Sequence, residues 1–309
     1  MSSADLSVAI QSVGAVLNDP KRPLKQRFRA LFTLRNLGTW DAVEEISRCF
    51  SDESALLKHE LAFCLGQMRN PEAVPILCKV LANVSEHPMV RHEAGEALGA
   101  IGEPSALPVL AQFSNDPEQS VAETCGLAIQ NIQWTRDEAN RDRNALLSKN
   151  PFQSVDPTPP SDLSNVQELG KILTDTTAPL WERYRALFSL RNLNSDEAAT
   201  ALSKGLSCSD SALFRHEVAY VLGQLQSSAS ACMESLKRRL EDKTENPMVR
   251  HECAEALGAI GTDEAQMVLQ TFLHDEEPVV RESCEVALDI CDYENSAEFQ
   301  YANGFLIKM

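Results

Sequence analysis

Four His-Glu dipeptides, His59-Glu60, His92-Glu93, His216-Glu217 and His251-Glu252, take up four of the six histidines in a chain of 309 residues. The first two pairs stand 33 residues apart and the last two 35. Imidazole nitrogens and carboxylate oxygens are donors for divalent first-row metals, and two histidines with one carboxylate and open positions suit a non-haem iron that binds dioxygen. Two such sites consume four histidines and two glutamates. The two glutamates that remain can hold a cationic substrate. A zinc protease needs H-E-x-x-H, but the residues four after each histidine are Phe63, Glu96, Tyr220 and Glu255. A structural zinc site draws on cysteine, and none of the nine cysteines forms a C-x-x-C pair.

These pairs must be positioned by repeats. MVRHEAGEALGAIG at 89–102 returns as MVRHECAEALGAIG at 248–261, FRALFTLRNL at 28–37 as YRALFSLRNL at 184–193, and HELAFCLGQM at 59–68 as HEVAYVLGQL at 216–225. The offset is 156 to 159 throughout, so the chain is a duplicated unit. Within each half, Phe28, His59, His92 and Ala122 fall in equivalent slots, as do Tyr184, His216, His251 and Arg281. A period of 30 to 35 residues with apolar positions at helical spacing predicts one helix–turn–helix per repeat. The expectation is an all-α fold: an α-solenoid of eight helical hairpins in two pseudo-symmetric four-repeat arms. The arms span 1–133 and 163–309, and the Pro-rich stretch 134–162 is read as an extended, mobile linker.

Packing residues should recur in every repeat, yet His-Glu occupies only the central two repeats of each arm. The first repeats carry Phe28-Arg29 and Tyr184-Arg185 there, and the last keep Glu123 and Glu282 without histidine. Adjacent residues on a helix diverge by about 100°. The two histidines of one arm are therefore expected on one metal, with the carboxylate supplied by the other arm. Seven residues after each histidine stands a glycine (Gly66, Gly99, Gly223, Gly258), read as a close helix contact.

A formal net charge of −17 excludes nucleic acid and an anionic membrane as partners and favours a cationic one. No uninterrupted apolar stretch of about 18 residues is present, so no membrane span is expected. An odd number of cysteines and no basic-then-apolar leader predict a reducing, cytoplasmic setting.

The VRHEAGEALGAIG segment resembles the short HEAT-like repeat. With His-Glu confined to the central two repeats of two such arms, the whole chain resembles the deoxyhypusine hydroxylase family. The resemblance implies two Fe2+ ions per chain that activate dioxygen. It also implies a protein substrate, the deoxyhypusine-bearing eukaryotic translation initiation factor, which is hydroxylated to hypusine. Carried over, it puts His59 and His92 on one iron with Glu217, and His216 and His251 on the other with Glu60. Glu93 and Glu252 would face the substrate amines. The rival is a non-catalytic HEAT-repeat scaffold, which explains the fold and acidity but has no use for four matched pairs.

Overall fold

The computed structural model describes residues 3–226 and 229–303, and among them there is no β-strand. The first part of the chain forms α1 (Ser3–Leu17), α2 (Leu24–Leu37), α3 (Trp40–Arg48), α4 (Ala55–Met68), α5 (Val74–Ala82), α6 (Pro88–Ile101), α7 (Leu107–Phe113) and α8 (Gln119–Arg136). A short α9 (Ala139–Asn144) follows in the connecting stretch. The second part forms α10 (Val166–Thr174), α11 (Leu180–Leu193), α12 (Asp196–Ser203), α13 (Ala212–Gln224), α14 (Ala229–Glu241), α15 (Pro247–Ile260), α16 (Asp263–Thr271) and α17 (Pro278–Glu294). The chain divides into two compact units. One holds the described residues up to Ala128 with those from Ala297 onward, and the other holds residues 129–296.

Helix starts follow from turn chemistry. Ser54, Ser195, Ser211 and Thr262 accept from the backbone N–H three residues on. Asn246 caps α15 ahead of Pro247, and in the equivalent turn His87 Nδ1 accepts from Met89 N–H ahead of Pro88. His87, which stands outside the His-Glu set, is thus a helix cap. Helices α2, α6 and α15 stop at Gly38, Gly102 and Gly261, all at positive φ.

In each unit the helices that carry the His-Glu slot lie side by side in one row. From α4 to α8 and from α13 to α17, neighbours in the row meet at the four glycines. A Cβ on Gly66 would lie 2.8 Å from Ala97 Cα, and one on Gly99 would lie 2.9 Å from Ala128 Cα. The matching distances are 3.0 Å from Gly223 to Ala256 Cα and 2.8 Å from Gly258 to Ala287 Cα. The close-packing reading of these glycines holds, and backbone contact of this kind sets how near α4 lies to α6 and α13 to α15.

A ladder of basic residues fixes the register along each row. Arg27, Arg91, Arg183 and Arg250 each donate Nε–H to the carbonyl ten residues earlier, at 2.8–3.1 Å. Their guanidinium groups reach Asp52, Asp116, Asp210 and Asp275 in the turn before the next helix of the row. Lys58 to Glu86 and Arg215 to Glu245 fill the alternate rungs. Lys58, Arg91, Arg215 and Arg250 each immediately precede a His-Glu pair, so the ladder orients the site.

The stretch read as a mobile linker is fastened to the second unit. Arg191 on α11 has no exposed surface and is held by both oxygens of Asp156, at 2.7 and 2.6 Å. Ser161 N–H donates to Ser189 Oγ, and Asn192 donates to the Ser148 carbonyl. A buried guanidinium requires a paired anion, which is why this segment is bound down. The tail does likewise in the first unit: Tyr301 packs against Phe32 and under Arg29, whose guanidinium also meets Glu298.

Candidate metal centre

His59 and Glu60 on α4, His92 and Glu93 on α6, His216 and Glu217 on α13, and His251 and Glu252 on α15 are all buried. In the first unit the rings of His59 and His92 lie 5.4 Å apart, and His59 Nε2 is 3.2 Å from Glu93 Oε2. In the second, the rings of His216 and His251 are 5.2 Å apart, and His216 Nε2 is 3.3 Å from Glu252 Oε2. The duplication thus reproduces one geometry twice, to within a few tenths of an ångström.

The same Glu252 oxygen lies 4.0 Å from His251 Nε2, and one ligand atom from each of His216, His251 and Glu252 lies within 4.8 Å of the others. Donors held about 2.0–2.2 Å from one ion can stand at most about 4.4 Å apart, so this set matches a single metal after small rotations. Adjacent His and Glu side chains therefore converge, although their Cα–Cβ bonds diverge around the helix. The glutamate's three torsions carry its carboxylate back toward the neighbouring helix. Glu93 and Glu252 are thus placed against the first imidazole of each unit. Glu60 and Glu217 are equally buried one helix earlier.

Two carboxylates to which the sequence pattern gave no role, Glu96 and Glu255, also lie here. His92, Glu93 and Glu96 place a ligand atom each within 4.8 Å of one another, and Glu255 Oε1 lies 3.6 Å from His251 Nδ1. The signal was the i, i+4 step from His92 and from His251.

Two buried thiols, Cys64 and Cys253, lie on the helices that carry the site. Burial, and next the Glu60 carboxylate, push the Cys64 thiol well up; burial and Glu252 do the same to Cys253. Burial, followed by the charges of Asp156, Glu217 and Glu252, likewise drives the Tyr220 phenol well above its ordinary value.

The chain is similar to known proteins over nearly its whole length. HEAT repeats match residues 46–130 and 228–289, and the PBS lyase HEAT-like repeat matches residues 182–208. The chain is 56% identical to the deoxyhypusine hydroxylase of Mus musculus over 295 residues, covering 96% of this chain and 95% of that protein. It is 53% identical to that of Drosophila melanogaster over 296 residues, with the same coverage. The solved structure of human deoxyhypusine hydroxylase in complex with glycerol matches with a TM-score of 0.89 at 52% identity, covering 94% of this chain and 98% of that one.

Proposed function

Because the chain belongs to the deoxyhypusine hydroxylase family, we propose that it hydroxylates the deoxyhypusine side chain of a eukaryotic translation initiation factor, using dioxygen and two Fe2+ ions per chain. The observation that carries this reading is the buried convergence of His216, His251 and Glu252, with His59 set against Glu93 and beside the ring of His92 in the first unit. Two imidazoles and a carboxylate are the donor set of oxygen-activating non-haem iron. Iron so held supplies the oxidising chemistry: one oxygen atom enters a C–H bond and the other leaves as water, with an external reductant supplying two electrons.

The chain's own residues supply placement. In this reading His59, His92 and Glu93 hold one iron, and His216, His251 and Glu252 the other. Glu60 and Glu217 then accept the substrate's ammonium groups, an exchange of carboxylate roles relative to the assignment implied by the resemblance. The exchange rests on the 3.2 and 3.3 Å approaches of Glu93 and Glu252 to the imidazoles. Buried carboxylates favour a cationic side chain that brings its own charge, and the net charge of −17 assists encounter. All nine cysteines are free thiols, and no helix among the described residues is long and apolar enough to cross a membrane. We assign the protein to the cytoplasm.

Elemental analysis after anaerobic loading with Fe(II) tests the reading. Two irons per chain, reduced by Glu93→Gln or Glu252→Gln, are expected. Glu60→Gln and Glu217→Gln should retain iron and raise KM for the deoxyhypusine-bearing factor. If the two pairs of variants behave the other way round, the assignment implied by the resemblance is restored. Absence of iron, or iron retained in both His59→Ala and His251→Ala, would overturn the di-iron reading.

A further inference from the structure

One turn beyond the second histidine of each arm stands a carboxylate for which the reading above has no role. Glu96 follows His92 on α6 by four residues, and Glu255 follows His251 on α15 by four. Residues four apart are neighbours on one helix face. At the first histidine of each arm the same step leads to Phe63 and Tyr220, so the feature belongs to one imidazole in each pair.

His251 meets a carboxylate at each ring nitrogen. Its Nε2 faces Glu252 at 4.0 Å, and that same oxygen stands against Nε2 of His216 at 3.3 Å. On the other side of the ring, Nδ1 faces Glu255 Oε1 at 3.6 Å. Nε2 is thus the nitrogen turned toward the shared donors, and Nδ1 the one turned away from them. His92 and His251 have no exposed surface, whereas Glu96 and Glu255 are half-buried.

A neutral imidazole has one N–H and one lone pair, and the hydrogen bond made by one nitrogen decides which of the two the other offers. Free histidine favours the proton on Nε2, the wrong tautomer for a ligand that must present Nε2 to a metal. We propose that Glu96 and Glu255 are positioning residues that hold His92 and His251 as the Nδ1–H tautomer, presenting the Nε2 lone pair to the metal. The 3.6 Å separation exceeds a formed hydrogen bond, and a rotation about the soft terminal torsion of Glu255 closes it. Residues in this relation to a metal-bound histidine fix its ring and raise its basicity, and losing one lowers metal affinity by roughly 10–100-fold. The metal half of this inference rests on the proposed iron sites, but the tautomer half does not.

The test therefore begins without metal. Metal-free protein labelled with 15N-histidine is compared by long-range proton–nitrogen correlation with Glu96→Ala and Glu255→Ala, at a pH where the imidazoles are neutral. His92 and His251 should be Nδ1–H in the parent. In Glu255→Ala, His251 alone should move toward Nε2–H, and in Glu96→Ala, His92 alone. Co(II) titration should then show 10–100-fold weaker binding at the altered arm. Glu→Gln, which keeps an accepting oxygen and the side chain's volume, should restore the parent tautomer and part of the affinity. An unchanged tautomer in the Ala variants would overturn the proposal. So would a Co(II) absorption spectrum of altered coordination geometry, which would make the carboxylate a direct ligand. Failure of the iron reading is recognised separately, as absence of metal binding in a parent whose tautomers are as described.

Discussion

The two units agree where the candidate metal donors are set and differ where the row of helices is closed. Both have buried imidazoles 5.2–5.4 Å apart, one carboxylate against each pair, the Gly-to-Ala contacts and the basic ladder. Arg35 and Arg191 occupy the same slot. Each bonds the asparagine that follows it and lies over the phenylalanine three residues before, at 4.9 and 4.8 Å. Arg191 alone is also gripped by Asp156 and wholly buried, because the segment 148–161 closes over α11. The first unit is closed instead by the tail, through the ring of Tyr301 and the half-exposed Glu298. The geometry the chemistry needs is duplicated, while the closures are made by different means.

Removing one closure at a time gives the largest contrast. Asp156→Ala leaves Arg191 buried without its carboxylate, and breaking such a pair costs about 3–5 kcal/mol. Glu298→Ala removes an exposed partner of Arg29 and should cost below about 1 kcal/mol. Urea denaturation with limited proteolysis should show the second unit opening early in Asp156→Ala and little change in Glu298→Ala. Equal effects would mean that the two closures are equivalent after all.

The ladder should fail alike in both units. Hydrogen bonds from Arg91 and Arg250 hold the Asp116 and Asp275 carboxyls below their ordinary value of 3.8. A lowered folded-state value means stabilisation that is fully present above 3.8 and lost as pH falls through the folded values beneath it. Asp116→Asn and Asp275→Asn should each cost about 1.5–3 kcal/mol at neutral pH. Each should also flatten the acid limb of the stability profile. Retention of the full acid limb in both variants would show that other carboxyls govern it.

The glycines separate stability from chemistry within one unit. Adding a methyl at Gly66, Gly99, Gly223 or Gly258 meets the facing alanine and should cost about 1–3 kcal/mol by overpacking. Gly66 and Gly223 stand between the helices that carry the paired histidines, while Gly99 and Gly258 face α8 and α17, which carry none. Thermal denaturation should therefore rank all four Gly→Ala variants together, whereas metal titration should weaken only Gly66→Ala and Gly223→Ala. Equal metal binding in all four would mean that helix spacing does not govern the donor distances.

Much of this was legible in the sequence because it repeats. The His-Glu pairs, the glycines and the all-helical repeat are periodic, and a period is visible without coordinates. Which glutamate of each pair meets the imidazoles was not legible, because it depends on helix rotation and three side-chain torsions. The ladder was missed because its acidic ends lie 25–30 residues from their bases, in turns where an aspartate reads as ordinary turn chemistry. Asp156 escaped notice for a related reason: its partner lies 35 residues away on α11, and a Pro-rich stretch reads as linker unless that partner is known.

The smallest difference between the two sites is one hydroxyl. Tyr220 follows His216 by four residues where Phe63 follows His59, and its oxygen accepts from Gln224 Nε2 at 3.1 Å. That amide also donates to Ser154 Oγ at 3.2 Å, so the phenol joins the second site to the segment held by Arg191. Tyr220→Phe makes the second unit resemble the first at this position. It removes one hydrogen bond whose amide donor keeps another acceptor, so about 1 kcal/mol of stability should be lost. Metal content should stay the same, since the ring remains and no donor is touched. If iron loading falls instead, the hydroxyl takes part in setting the second site, and the two sites are less alike than their donors indicate.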